Sequence, residues 1–147
     1  MKKIKGFGVT IKTIPHQRQR YATLGDYVYG IKKDRLKTDV LISEELGVWY
    51  SLAVAIHELC EIVLCAKKGV KEQDITDFDM AFTGPGEPGD DPKAPYFNEH
   101  QVATIVEKAV IKALGGVWQV YDDRCLAVCP DEGSWTPAKR KRALKGK

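Results

Sequence analysis

The stretch VWYSLAVAIHELCEIVLCAKKG, residues 48–69, decides how the rest of the chain is read. From Val48 to Ala66 its only non-apolar positions are Tyr50, Ser51, His57, Glu58 and Glu61, with the cysteines counted as apolar. Lys67 and Lys68 complement the negative end of a helix, and Gly69 supplies a stop just beyond it. A helix apolar on nearly every face is expected to be buried. Its length would also suit a bilayer, but each ionised carboxylate near the middle of a span costs about 2.5–3.5 kcal/mol. A soluble chain is therefore expected. Burying three ionisable groups in such a helix is costly unless something pairs them, and a metal ion is the most economical partner. His57 and Glu61 stand one turn apart and project from one face, while Glu58 points about 100° away around the axis. The plainer reading is a buried helix whose His57 and glutamates bond to a neighbouring arginine, lysine or backbone group.

Working outward, Ser43 followed by Glu44 and Glu45 offers an N-cap and an acidic first turn for this helix. Residues 2–14 alternate crudely, with Ile4, Val9, Ile11 and Ile14 among polar partners, and Pro15 ends the run; this predicts a strand. Two short β-like runs, 27–31 and 36–42, flank KKDR and predict a hairpin. Downstream, a second helix is expected over 71–82, with Ile75, Phe78 and Phe82 on one face. The segment TGPGEPGDDPKAP, residues 83–95, holds four of the seven prolines and three glycines, so it reads as a loop, either a functional rim or a solvated linker. A third helix is expected from about Tyr96 to Gly115-Gly116, and a fourth over 117–128. The predicted architecture is α+β: a small N-terminal antiparallel β-sheet packed on a three- to four-helix body. Residues 1–130 would form one domain and 131–147 a basic, flexible tail.

The composition suits this size of domain. With 147 residues, 44% hydrophobic and 29% charged, the chain can bury a core, which excludes disordered, collagen-like and low-complexity classes. The net charge of +3 is unevenly placed, since residues 138–147 carry six of the 23 basic residues and no acidic ones. The body is therefore mildly acidic. The tail KRKRALKGK allows weak, nonspecific contact with nucleic acid through phosphates, but no aromatic residues interleave with it, and a solvated end is the commoner outcome. Cys60, Cys65, Cys125 and Cys129 form no CxxC pair and read as buried thiols in a reducing compartment. The N-terminus lacks an apolar segment of signal-peptide length. A cytoplasmic protein without membrane association is the expectation.

The HELCE segment resembles the HExxH helix of zincin metallopeptidases, where two histidines bind zinc and the intervening glutamate is the general base. In this chain Glu61 stands where the second histidine would be. A carboxylate can ligate zinc, and three-residue coordination then calls for a further histidine. His100 lies one turn into the third predicted helix and shares a face with Thr104 and Glu107. Zincins of the gluzincin type also take a ligand from a later helix, usually a glutamate, so the residue types look exchanged here. His57, Glu61 and His100 would leave one coordination position open, a set that suits Zn²⁺ and also Mn²⁺ or Fe²⁺. The resemblance implies that Glu58 is the general base. Glu107 would be a fourth ligand or an outer acceptor for His100. Tyr96, at the end of the 83–95 loop, would either bond a developing oxyanion or simply pack. His100 as a surface histidine near a helix start is the alternative. In IPHQRQRY, His16 and Arg20 could bind a substrate carboxylate or phosphate, or belong to a solvated connector.

A wider pattern is similar to a family of small bacteriophage and prophage proteins without an assigned activity. It is carried by IPHQRQRY, GDY, VAIHELCEIVLC, FDMAF, PGDDPKAPY, EHQVAT and the glutamate at 107, over about residues 10–121. Such an origin implies action in a host cytoplasm, with a host protein as a candidate partner. A third resemblance competes. Glu58-x-x-Glu61 followed by Asp74-x-x-Asp77 is similar to the carboxylate cluster that holds Mg²⁺ in MazG-type nucleotide pyrophosphohydrolases. That family is all-α, however, and the comparison leaves His57 and His100 without a role. The sequence therefore predicts a zincin-like, metal-dependent hydrolase acting on a peptide or small-molecule substrate. The MazG-like enzyme and a non-catalytic, metal-stabilised phage protein are the alternatives.

Overall fold

The structure is a computed structural model and describes residues 3–130. The predicted tail at 131–147 lies outside the described residues. The domain is α+β, with three strands, β1 (Gly6–Ile14), β2 (Gly25–Lys32) and β3 (Arg35–Ser43), followed by four helices. These are α1 (Val48–Lys68), α2 (Glu72–Ala81), α3 (Phe97–Ala113) and α4 (Trp118–Val128).

The sheet is mixed rather than antiparallel. Its order is β1-β3-β2, with β2 antiparallel to β3 and β1 parallel to β3. Two reversals produce this. Lys33 and Asp34, both at positive φ (49° and 60°), make the tight two-residue turn of the predicted hairpin. The 15–24 connection crosses the end of β3, so β1 and β3 run the same way with β3 between its neighbours. Alternation along a strand reports which face is buried, not which strand lies beside it. The crossing is fastened to β3 by the buried Gln19, whose amide donates to the carbonyls of Leu41 and Leu24 at 3.1 and 3.3 Å. His16 bonds the Ser43 hydroxyl at 2.9 Å.

That bond also corrects the expected helix start. Ser43 is no N-cap; it ends β3, Glu44–Leu46 form a 3-10 turn, and α1 begins after Gly47. Gly47, at φ 82°, takes a conformation that an L side chain rarely adopts. The other end of α1 follows the prediction, with Gly69 left-handed and its N–H, like that of Val70, closing the last turn.

α1 packs against the inner face of the sheet, where Val40 and Ile42 are wholly buried, and against α3. Burial on every face is not what the structure gives. Ala53, Val54, Ile62 and Cys65 are inside, but Trp49 is 64% exposed, and Leu52, Ile56 and Val63 share its outer side. Sheet and α3 cover only part of the helix circumference, and among the described residues no further layer covers the rest. α1 is long and apolar enough by composition to cross a membrane. No disulfide joins the four cysteines; Cys65, Cys125 and Cys129 are buried, as the sequence predicts, and Cys60 is half-buried. On α3, His100, Ala103, Glu107 and Ile111 form the buried stripe that faces α1. The inner and outer sides of α1 therefore separate by consequence: Ile62→Ala should lower stability by about 2–5 kcal/mol, whereas Trp49→Gln should change it by less than about 0.5 kcal/mol, both read from urea unfolding.

Candidate metal centre

α1 and α3 each contribute two groups to one buried cluster. His57 Nε2 lies 3.5 Å from Glu61 Oε2, His100 Nδ1 lies 2.9 Å from the same oxygen, and the two ring nitrogens are 3.2 Å apart. All three side chains are buried, and these donor atoms could hold a metal ion. Zinc bonds of about 2.0–2.1 Å in tetrahedral geometry put neighbouring ligand atoms about 3.3 Å apart. The observed triangle fits that size.

What surrounds the triangle fixes how its donors point. Glu107 Oε2 takes the other side of His57, 2.8 Å from Nδ1, while its second oxygen accepts from the Tyr121 hydroxyl. His100 Nε2 faces Glu87 at 3.2 Å and Asp90 at 3.4 Å, both from the 83–95 loop. The second oxygen of Glu61 accepts from the Tyr27 hydroxyl at 2.5 Å. In neutral rings, carboxylates on the outer nitrogens hold the protons there. Both inner lone pairs then point at Glu61 Oε2.

Without a cation, protons take that role. Burial works against ionising Glu61, but hydrogen bonds from His100 and His57 outweigh it and hold its pKa down at about 2. Burial also opposes the charged form of both histidines. Glu107 and Glu61 overcome it for His57, Asp90 and Glu61 for His100, and both end well above the usual histidine value. Two imidazolium rings would set N–H against N–H at 3.2 Å, so a single proton fits between them.

Glu58 lines the same cavity, about 320 Å³, from the next position around α1. Desolvation pushes its pKa well above the carboxylate range, and Glu61 and Asp26 add to this against the opposing His57 and His100. Its carboxyl lies on the backbone of β2, where a Cβ on Gly25 would come within 2.9 Å of Glu58 Cδ. Gly89 in the loop has the same relation to His100, with a Cβ falling 2.9 Å from the ring's Cδ2. The loop is thus a rim of the site rather than a solvated linker. Pro88–Asp90 form its 3-10 turn, and Pro88 and Gly89 are buried.

The other residues singled out from sequence fall in different places. Glu107 supports His57 across the helix pair and not His100, because spacing on one helix does not show what faces it from another. Tyr96 lines the cavity, yet its hydroxyl donates to Asp79 at 2.5 Å. His16 braces the crossing strand connection. Arg20 pairs with Asp26 through Nε at 2.5 Å, and neither His16 nor Arg20 lines this cavity. Asp74 and Asp77 are exposed on α2, so the four carboxylates of the magnesium pattern do not converge. Sequence reasoning missed Asp79, Tyr27, Glu87 and Asp90. Asp79 and Tyr27 did leave a signal: Asp79 is a carboxylate one turn from Ile75 on the apolar face of α2, and Tyr27 is an inward position on β2.

No family model matches the chain, and no curated protein or solved structure matches it either. The geometry of the site is therefore what the functional reading has to stand on.

Asp79 also yields a pH prediction. Burial raises it to about 7, with Glu61 and Asp26 adding and the Tyr96 and Tyr21 hydroxyls opposing. A carboxyl whose folded pKa is raised binds more protons folded than unfolded, so its contribution to stability is present in acid and is lost as pH rises from about 4 to 7. Across that window Asp79→Asn should gain on wild type by at most about 1.4 kcal/mol per pH unit, read from denaturant midpoints at several pH values.

Proposed function

We propose that the chain is a zinc-dependent hydrolase of the zincin-like metallopeptidase type. His57, Glu61 and His100 would hold the metal and Glu58 would act as general base. The observation that carries the reading is the convergence of two imidazole nitrogens and one carboxylate oxygen, with buried Glu107 behind His57, buried Tyr27 behind Glu61 and the half-exposed Glu87 behind His100. With both inner nitrogens unprotonated, these three electron-pair donors would repel one another unless a cation lay between them. Zinc bound there would act as a Lewis acid and lower the pKa of a coordinated water to about 7.

The remaining chemistry belongs to the chain. Glu58 faces the cavity from the helix that also carries His57 and Glu61, and its desolvation raises its proton affinity, in the direction that a proton-accepting group needs. It would take a proton from the attacking water as the new C–O bond forms, then deliver it to the leaving nitrogen or oxygen as that bond breaks. Glu107 and Tyr121 would keep His57 oriented, and Tyr27 would do so for Glu61. Mn²⁺ or Fe²⁺ would fit the same donors. A phage origin and a host cytoplasmic location belong to this proposal and draw on the sequence resemblance alone.

A non-catalytic, structural cluster is the second reading. The observation favouring it is that Glu61 and Glu107 have partners on both oxygens, so the network closes with a proton in place of the metal. The magnesium-dependent reading has less support, since Asp74 and Asp77 face solvent.

Elemental analysis of protein purified without an affinity-tag metal separates these. The proposal expects about one zinc, manganese or iron per chain, lost in His57→Ala; none in either protein overturns it. Glu58→Gln should keep the metal while hydrolysis across a substrate panel falls about 10²- to 10⁴-fold. Metal loss in Glu58→Gln would instead make Glu58 a ligand. Asp74→Asn should leave both metal content and turnover unchanged, and a strong effect there would revive the magnesium reading.

A further inference from the structure

The wall of the cavity is rich in hydrogen-bond acceptors and poor in donors. Seven of its residues carry carboxyl groups, against one lysine and two histidines. Four tyrosine hydroxyls reach into this region, and each donates to a carboxylate: Tyr27 to Glu61, Tyr121 to Glu107, and Tyr21 and Tyr96 to Asp79. The protons they could offer an anionic ligand are therefore already engaged. A divalent cation on the two histidines and Glu61 would still leave the wall anionic.

The charge is concentrated at the mouth. Glu87 and Asp90 stand on the loop with side chains 46% and 61% exposed, and Asp122 of α4 also lines the cavity. Asp122, Glu87 and Glu107 line the one cavity, and desolvation together with Glu87, Asp123 and Glu107 raises the Asp122 carboxyl. A resident cation already uses this corner. Lys108 Nζ sits 5.0 Å from the centroid of the Trp118 ring and opposes the shift of Asp122. Lys108 is exposed on a flexible stem, so a ligand cation can displace it onto solvent.

We infer that this site takes a substrate bearing an alkylammonium or guanidinium group, held at the mouth between the Trp118 face, Asp122 and Glu87. As a statement about substrate it rests on the hydrolase reading, but the binding preference is measurable without turnover. Anionic substrates such as nucleotides or acidic peptides meet Lys108 and the two histidines against seven carboxyl-bearing residues.

Calorimetry on Glu58→Gln protein, with and without one equivalent of zinc, tests this with capped tripeptides Gly-X-Gly in which X is lysine, norleucine or glutamate. The lysine peptide should bind about five- to tenfold tighter than the norleucine peptide at low salt. That advantage should shrink to less than about twofold in 0.5 M salt. Asp122→Asn should reduce it, and Lys108→Met should strengthen lysine-peptide binding, an outcome that a folding defect cannot mimic. Competition by butylamine would place the recognised cation in a free amine, and failure to compete would place it in a peptide side chain. Equal binding of lysine and norleucine, tighter binding of glutamate, or no binding of the lysine peptide overturns the inference. A lysine preference without zinc uptake would sink the hydrolase reading and leave the cation site standing. Zinc uptake without that preference would do the reverse.

Discussion

A carboxylate at Glu61, buried on the inner side of α1, constrains most of what surrounds it. A charge in that position is tolerable only with donors on both oxygens. The structure supplies Tyr27 from β2 on one oxygen and His100 from α3, with His57 from α1 itself, on the other. One side chain thereby ties the sheet, the central helix and the third helix to a common point. His57 then needs a carboxylate of its own, which Glu107 provides, and Glu107 needs Tyr121 of α4. On the other branch, His100 reaches Glu87 and Asp90, the part-exposed acids of the loop. Buried polar networks of this kind fix the relative placement of elements more tightly than apolar contact, which tolerates sliding.

Close backbone approach completes the arrangement. Glu58 and His100 both lie on glycines, Gly25 and Gly89, at positions where a Cβ would occupy the same space. β2 and the 83–95 loop can therefore come down on the helix pair from opposite sides and enclose a cavity, where bulkier residues would hold them off. Enclosure raises the stakes for every ionisable group inside, as the shifts of Glu58, Glu61 and Asp79 show. Strongly shifted groups gathered in one cleft occur in chemical sites and in closed structural networks alike.

The interior is organised around polar groups, and the exterior carries the apolar excess. Trp49, Leu52, Ile56 and Val63 of α1 are exposed, as are Phe7 of β1 and Ile31 of β2, which flank Leu36 at the hairpin end of the face on which Val40 and Ile42 are buried. A three-stranded sheet and four helices cannot cover every apolar side chain in a chain of this length.

Local features were legible in the sequence because their physics is local. The span of α1, its stop at Gly69, the hairpin, the α+β class and the grouping of His57 with Glu61 all follow from residues within a few turns of each other. His100 was legible as well, since few histidines exist to choose from. Tertiary structure alone decided the rest. The parallel pairing of β1 depends on where residues 15–24 cross, and the partner of Glu107 depends on how α3 faces α1. The rotation of α1 decided which of its many apolar residues became core. Glu87 and Asp90 joined the site because a loop without periodicity folded onto His100. In each case the deciding contact joins groups far apart in the chain, and spacing along a sequence carries no information about which distant surface will meet it.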